Sequence, residues 1–431
     1  MRARLSRSDR PPRLFDVVLE AAKRNGMVGS RRVLDSTPLY DAVATMDTIT
    51  LIRSAIRGLL AVADSDLGQE LRAVFTAGDD YSTTAKPQID WDDAEARAVL
   101  IDSRARDGFR CLEVLVDRPL SWLVADAGEL LGTVLGQDIE TGPDAGLGIR
   151  WGVARDRVIS TVDRDTRHGH KTQARGFHGY KGHVAVDPDS EIITDTIVTP
   201  GNAGDASVAK DLITDLTNND NPADADSDSD SSDGDAGGVA AEAEPDAKKV
   251  YGDAAYGTGE FQQHLNNHGI ESGCGTQTPA PRPGGLFTKD HFDIDLDNDT
   301  VTCPAGETAD IARNEAGDGI AQFAQACDGC VFRENCTTSR AGRTINVGRH
   351  EAALSEARQQ QANPDWKEDY RKTRPKIERK LAHLMYRGHG GRRARVRGQS
   401  KVDADFNLLA AAHNLHRLAT LHWQPTTWAG T

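Results

Sequence analysis

The sequence predicts an α/β protein in which a mixed sheet packs against helices. Two observations support this fold class. Short apolar strands alternate with helical segments along the chain, and the run Tyr180–Val186 alternates polar and apolar residues with the period of a half-buried strand. A turn at 187–190 (DPDS) and the β-branched run Ile192–Val198 complete a hairpin. Further strands are predicted at 31–35, 249–253 and 270–274, giving a sheet flanked by helices.

The helices follow from apolar periodicity and from their start and stop residues. Residues 11–26 form a short helix that ends at Gly26, and 43–135 is a mostly helical insertion. Asp205 is positioned to cap a helix through Leu212, and a helix from Phe261 to His268 ends at Gly269. The last predicted helix, 370–387, has Pro375 in its first turn and a buried stripe of Ile377, Leu381, Leu384 and Met385.

These elements divide the chain into seven predicted segments. They are a short N-terminal helical remnant (1–34), the first acidic strand with the helical insertion (35–150), the hairpin and its helix (151–215), an acidic insert predicted to be disordered (216–248), the second acidic strand (249–275), a cysteine-rich insert (276–345), and the C-terminal helices with a basic tail (346–431).

The composition is acidic, with a formal net charge of -15 and a pI near 5.3. Nucleic-acid-binding proteins are usually basic, so the charge needs another cause. Only 13 of the 51 basic residues are Lys. Excess acid with few lysines is typical of proteins that stay soluble in a high-salt, halophilic cytoplasm. No run of about 18 apolar residues predicts a membrane span, and the N-terminus lacks the apolar core of a secretory signal. We therefore expect a cytoplasmic protein.

Three acidic residues are candidates for binding metal ions. Asp35 and Asp253 are each predicted to end a short strand, and Glu378 borders the buried stripe of the last helix. Carboxylates are the ligands that Mg²⁺ prefers, and two such ions activate and stabilise the oxygens of a phosphoryl transfer. Taken singly, each Asp is also a turn former or cap, and Glu378 is also a surface ion-pair partner. Other acids compete for the role: Asp163, Asp165, Asp187 and above all Asp205.

Four stretches together resemble the DDE transposases of bacterial and archaeal insertion sequences. They are RRVLDSTPLYDAVATMDT (31–48), the segment from Ser160 to Ser207, VYGDAAYGTGEF (250–261) and Y-x3-R-x3-E at 370–378. The resemblance covers roughly residues 1–420 in order and is strongest to the cysteine-insert branch of the IS4/IS5-like assemblage. It implies a ribonuclease-H-like core, DNA end cleavage and strand transfer with two Mg²⁺ or Mn²⁺ ions, and Asp35, Asp253 and Glu378 as catalytic metal ligands.

The same resemblance implies roles for other residues and for partners. Tyr370 and Arg374 occupy signature positions that support the Glu or contact DNA, whereas the signature lysine falls at Met385. The partners implied are the terminal inverted repeats and target DNA, bound by a homodimer on paired ends in the nucleoid. The region before Asp35 is shorter than in most members. The alternative function is therefore a degenerate, N-terminally shortened transposase that binds DNA without catalysis.

Four cysteines between 303 and 336 predict a possible structural zinc site. Cys327-x2-Cys330 and Cys336 form one group, and Cys303 supplies a fourth thiol. The alternative is a small insert with buried thiols. If the cysteines bound metal and the acids were dispensable, the chain would instead be a zinc-dependent DNA-binding or regulatory protein. A ribonuclease-H-like nuclease without strand transfer is a further alternative.

Basic residues crowd the neighbourhood of Glu378 and are expected to neutralise DNA phosphates. They are Arg371, Lys372, Arg374, Lys376, Arg379, Lys380, Arg387, Arg392, Arg393, Arg395, Arg397 and Lys401. The Gly-rich and Arg-rich run at 388–398 is expected to be a flexible loop. A second tract comprises Arg164, Arg167, Lys171, Arg175 and Lys181. The histidines His168, His170, His178 and His183 lie in a Gly-rich segment, where backbone or phosphate contacts are favoured over zinc.

Overall fold

A six-stranded mixed sheet forms the centre of the computed structural model, which describes residues 10–41, 43–142, 145–172, 175–218, 247–277, 279 and 283–422. The strands of this sheet are β1 (Arg31–Tyr40), β4 (Arg167–Thr172), β5 (Arg175–Val186), β6 (Ile193–Pro200), β7 (Lys249–Gly252) and β8 (Glu271–Cys274), and the small strands β2 (Ile139–Thr141) and β3 (Leu147–Ile149) form a separate hairpin. The acidic insert lies largely outside the described residues, which omit 219–246.

The order of the strands places β1 in the middle of the sheet. β1 pairs antiparallel with β5, with Asp35 opposite Val184 and Ser36 opposite His183. On its other edge it pairs parallel with β7 through Arg31–Val33, and β7 pairs parallel with β8. The other edge of β5 pairs with β4 and β6. This mixed sheet with flanking helices is compatible with the predicted ribonuclease-H-like fold.

Helices cover both faces of the sheet. Their bounds are α1 (Arg13–Arg24), α2 (Thr48–Val62), α3 (Ser65–Ala73), α4 (Ala94–Leu115), α5 (Trp122–Asp138), α6 (Thr214–Thr217), α7 (Gly259–Asn267), α8 (Arg333–Cys336), α9 (Glu351–Ala362), α10 (Pro364–Leu384) and α11 (Gln399–His422). One face packs Val33 and Val184 against Ile377 of α10 and Phe406 of α11. The opposite face packs Leu34 and other residues against α7 and the 3₁₀ turns at 205–213.

Two further units carry their own cores. Helices α2 to α5 bury one apolar cluster, which includes Ile52, Leu59, Leu131 and Leu135. This agrees with the helical periodicity predicted for 43–135. The cysteine-rich segment forms a five-stranded antiparallel sheet of β9 (Asp293–Asp295), β10 (Thr300–Thr302), β11 (Thr308–Arg313), β12 (Gly319–Gln322) and β13 (Thr344–Val347). The boundaries of the seven segments remain predictions.

Three local expectations are wrong. β1 does not end at Asp35 but continues to Tyr40, because antiparallel pairing with β5 extends through that residue. Helix α10 begins at Pro364, capped by Asn363, so Pro375 lies inside the helix and not in its first turn. Asp205 caps no helix, because Gly204 is the N-cap of the 3₁₀ turn and the Asp205 side chain has other partners.

Among the described residues, no helix is both long enough and apolar enough to cross a membrane.

Candidate active site

Two of the predicted acids meet around one guanidinium group. Nη2 of Arg374 lies 3.2 Å from Oδ2 of Asp35 and 3.8 Å from Oδ2 of Asp253. The same guanidinium donates through Nη1 to the backbone oxygen of Leu34 at 3.0 Å. Residues from β1, from the end of β7 and from α10 therefore converge at one point, although 340 positions separate Leu34 from Arg374 in the chain.

The alternation of strand residues explains why the acids face α10. Val33 and Tyr251 both belong to the cluster beneath α10, so Asp35 and Asp253, two residues further along, project from the same face. β1 pairs with β7 only as far as Val33. The next backbone carbonyl, that of Leu34, accepts a hydrogen bond from the Arg374 side chain. Burial raises the pKa of Asp35, and the neighbouring Arg374 opposes that rise.

The third predicted acid does not join this pair. Glu378 lies one helical turn beyond Arg374 on α10, and its side chain is exposed. Within the described ranges, no three His, Cys, Asp or Glu side chains form a group that would hold a metal ion. Asp35 and Asp253 do suit a hard divalent cation, since both are carboxylates and already share one positive charge. The arrangement thus supplies two of the three expected ligands.

Tyr370 lies beside the acidic pair in an open groove of about 530 Å³, which Arg371, Arg374 and Pro375 also line. Its ring stacks on Trp366 at a centroid distance of 5.0 Å, and the Trp366 indole donates to the Ser272 backbone oxygen. Burial raises the pKa of Tyr370, so its hydroxyl stays protonated. Arg374, which pairs with Asp35 and Asp253, is part of the lining of this groove.

A second polar network lies on the opposite face of β1. Ser36 links the two faces: its backbone N–H donates to Oδ1 of Asp35 and its hydroxyl donates to Oδ2 of Asp205, both at 2.8 Å. Nζ of Lys181 donates to the other oxygen of Asp205, also at 2.8 Å. Both oxygens of Asp205 are thus occupied, so it supports Asp35 indirectly. Sequence reasoning missed this role, because GNAGD also reads as a capping motif.

The network continues into the protein interior through two fully buried rings. Nδ1 of His183 lies 3.3 Å from the hydroxyl oxygen of Tyr256, and Nε2 lies 2.9 Å from the hydroxyl oxygen of Thr199. Burial lowers the pKa of His183 to about 4, which keeps the imidazole neutral. Burial likewise raises the pKa of Tyr256, and the carboxylates of Asp205, Asp35 and Asp253 add to the rise. His183 is therefore a buried supporting residue and does not contact phosphates.

The other rival acids and histidines have structural partners. Asp163 accepts from the Tyr180 hydroxyl at 2.6 Å, and Asp187 accepts from the backbone of the β5–β6 turn. The rings of His168 and His178 lie 4.9 Å apart on the β4–β5 hairpin.

Several predicted DNA-binding residues are engaged within the protein. Arg379 pairs with Glu191, and Lys376 lies 3.4 Å from Asp189. Lys380 is only 3% exposed, and burial lowers its pKa to about 8. Lys380 is buried in this arrangement, and its role in DNA contact stays a prediction. Arg371 is exposed and lines the groove.

The second basic tract is also largely neutralised. Arg164 pairs with Asp126, Arg167 pairs with Asp156, and Lys181 pairs with Asp205. Lys171 and Arg175 stay exposed near the end of the β4–β5 hairpin.

The four clustered cysteines line one cavity in the five-stranded subdomain. Cys303, Cys327, Cys330 and Cys336 all border it, together with Phe287, Phe292, Phe323 and Phe332. Burial raises the pKa of Cys327, and the neighbouring Cys330 contributes to the rise. No three of these cysteines form a group that could hold a metal ion in this arrangement of the described residues.

No curated protein and no solved structure matches the chain. Residues 302–419 match a family model described as Transposase DDE domain. The matched region runs from the cysteine-rich subdomain to α11 and includes Tyr370, Arg374 and Glu378, whereas Asp35 and Asp253 lie before it. The match supports a DDE transposase.

Proposed function

We propose that this chain is an insertion-sequence transposase that cuts and joins DNA at the ends of its element. The observation that carries the proposal is the meeting of Asp35 and Asp253, from two strands of a mixed sheet, around Arg374 of α10. Arg374 belongs to the region that matches the transposase domain, so the acids outside that region converge on a residue within it. A transposase acts on DNA, and Arg374, which pairs with both carboxylates, lines an open groove together with Tyr370 and Arg371.

Asp35, Asp253 and Glu378 are the proposed ligands of two Mg²⁺ or Mn²⁺ ions. Such ions supply the Lewis acidity that activates an attacking oxygen and stabilises the leaving one. Ser36 and Asp205 hold Asp35 in place, and Arg374 limits the repulsion between the two aspartates. Glu378 is exposed and forms no hydrogen bond or ion pair among the described residues, so its side chain is free to change rotamer when a ligand arrives.

The proposed reaction has two steps at the same site. Water attacks the phosphodiester at the element end, the bond to the 3′-oxygen breaks, and a 3′-hydroxyl is freed. That hydroxyl then attacks a phosphodiester of the target DNA, and the target strand's own 3′-oxygen leaves as a hydroxyl. The proposed substrates are the terminal inverted repeats, held by a homodimer on paired ends. Light scattering of the protein with end DNA tests this assembly, and two chains per pair of ends is the expected result.

The decisive experiment is cleavage of a DNA fragment that carries the ends of the encoding element, in Mg²⁺ or Mn²⁺ at high salt. Asp253→Asn should abolish nicking and leave DNA binding intact. Asp66→Asn is the matched control, because Asp66 is exposed on α3, outside the candidate site. Nicking that survives in Asp253→Asn would overturn the proposed chemistry. DNA binding without nicking by the wild-type chain would instead support a degenerate transposase.

We also propose that the cysteine cavity binds a structural zinc ion. Four thiols border one cavity of a small subdomain, and small domains often need a metal to compensate for a limited core. Elemental analysis of the purified protein should find one zinc per chain, and Cys327→Ser should lose it. Cys111→Ser is the control, because Cys111 is buried in the helical insertion. Zinc that is absent from the wild-type protein, or retained by Cys327→Ser, would contradict this site.

A further inference from the structure

An arginine-lined cleft lies at the end of β1, in the connection between α10 and α11. Arg387, Arg392 and Arg393 line this cleft of about 500 Å³ together with Tyr40 and Gly390. No acidic residue lines it. Within the part of the chain that the structure describes, none of the three arginine side chains forms an ion pair, and all three are exposed. We call this feature the arginine cleft.

The connection that carries the arginines is held in a defined position. The backbone N–H of Tyr40 donates to the oxygen of Arg392 at 3.1 Å, and that of Ala394 donates to the oxygen of Tyr40 at 2.9 Å. These bonds add the connection to the free edge of β1. Gly391 is buried so closely against α10 that a Cβ atom would lie 2.1 Å from the Leu384 oxygen. The segment expected to be a flexible loop is therefore docked against the sheet and α10.

Three arginines without ion pairs share this one cleft, although acids outnumber bases in the chain. The net charge is -15, and Arg53, Arg157 and Arg167 each pair with an aspartate. Three guanidinium groups that share a cleft repel one another unless an anion lies between them. Their planar donors match the oxygens of a phosphate, often in pairs. The cleft thus has the charge and the donor groups of a phosphate-binding site.

We propose that the arginine cleft binds phosphate groups of the DNA backbone at a distance from the cutting site. This inference rests on the proposed function for its choice of ligand. Tyr40 follows Asp35 by five residues on the same strand, which is roughly 17 Å at about 3.4 Å per residue. That span equals roughly five base pairs of duplex DNA, at about 3.4 Å per base pair. One rigid strand would therefore set the spacing between the bound backbone and the acids.

The salt dependence of DNA binding tests the cleft without requiring cleavage. A fluorescent duplex of arbitrary sequence is titrated with protein at several salt concentrations in the absence of divalent metal. Each lost phosphate contact should reduce the slope of log K against log salt by about 0.9, so Arg392→Gln/Arg393→Gln should reduce it by about 1.8. Arg106→Gln/Arg118→Gln removes the same charge from exposed, acid-paired sites and should leave the slope unchanged.

Two further experiments distinguish a phosphate site at a fixed position from a general positive charge on the surface and from a site for small anions. Gly391→Ala keeps every arginine but displaces the connection, so it should weaken duplex binding. Its melting temperature and circular dichroism spectrum show whether the chain remains folded. Inorganic phosphate at matched ionic strength should have the same small effect on the melting temperatures of the wild type and the arginine double variant.

Each outcome decides for or against the cleft. A slope unchanged in Arg392→Gln/Arg393→Gln, or reduced equally in the control pair, would overturn the proposal. The proposal would also be overturned if Gly391→Ala were folded and bound the duplex as tightly as the wild type. A third outcome is that inorganic phosphate stabilises the wild type in a saturable way, that the arginine double variant loses this stabilisation, and that its duplex slope is unchanged. The cleft would then be a site for small anions, and the DNA assignment would be refuted. If the arginine double variant lowers the slope, but the wild-type chain binds DNA and never cuts it, the cleft stands and only the proposed chemistry is refuted.

Discussion

The ion pair between Lys181 and Asp205 yields a quantitative prediction about the support of the candidate site. The two side chains are 15% and 13% exposed, and their charged atoms lie 2.8 Å apart. At an effective dielectric constant of about 20, this separation gives an attraction of roughly 6 kcal/mol before desolvation is counted. Lys181→Met removes the ammonium and leaves the Asp205 carboxylate with only the Ser36 hydroxyl.

We expect Lys181→Met to lower the free energy of unfolding by about 2–3 kcal/mol. Breaking a fully buried pair costs about 3–5 kcal/mol, and the residual exposure of both groups places this pair below that range. Adding Asp205→Asn should restore most of the loss, because the amide oxygen still accepts from Ser36 and no charge remains buried. Urea unfolding at pH 7, followed by circular dichroism at fixed salt, measures both variants.

The matched control is Lys210→Met. Lys210 pairs with Glu260 at 2.6 Å, but these side chains are 44% and 64% exposed. Water screens such a pair, so its loss should cost below about 1 kcal/mol. The reasoning is refuted if Lys181→Met and Lys210→Met destabilise the chain equally, or if the second substitution at Asp205 restores nothing.

Three other predictions concern the third acid, a tight glycine and a buried carboxyl group. Glu378→Gln should abolish metal-dependent nicking of end DNA without weakening duplex binding, and full nicking would remove Glu378 from the proposed ligands. Gly257→Ala should destabilise the chain by about 1–3 kcal/mol in urea unfolding, because a Cβ there would lie 1.8 Å from the Gly275 oxygen; wild-type stability would show that the backbone shifts freely. Burial raises the pKa of Asp195 to about 7 from 3.8, so the folded chain retains a proton that the unfolded chain releases. Its contribution to stability is therefore present below pH 3.8 and is lost as the pH rises through 7. Asp195→Asn should stabilise the chain relative to wild type more at pH 8 than at pH 5, and an equal effect at both values would contradict the shift.

Local patterns were sufficient to predict most elements of the central sheet. The alternation in Tyr180–Val186 and the turn after it predicted the hairpin of β5 and β6. The expectation that this strand has only one buried face is wrong, because Val184 and Ala185 are buried in clusters on opposite faces of the sheet. The spacing of Ile377, Leu381 and Leu384 predicted the buried stripe of α10 for the corresponding helical reason. Gly26, with a φ of 64°, ends α1 as expected of the residue type that adopts this conformation most readily.

Only the tertiary structure decided which side chains meet. Asp205 has a sequence context that suits a helix cap, yet Ser36 and Lys181 occupy both of its oxygens, because the β1–β5 register brings those strands beside the 205–208 turn. The position of Arg374 between Asp35 and Asp253, and the exposure of Glu378 one turn later, depend on how α10 packs across the sheet. Sequence periodicity determines which face of an element is buried. The partner of a polar group on that face depends on contacts between residues far apart in the chain, which no local pattern encodes.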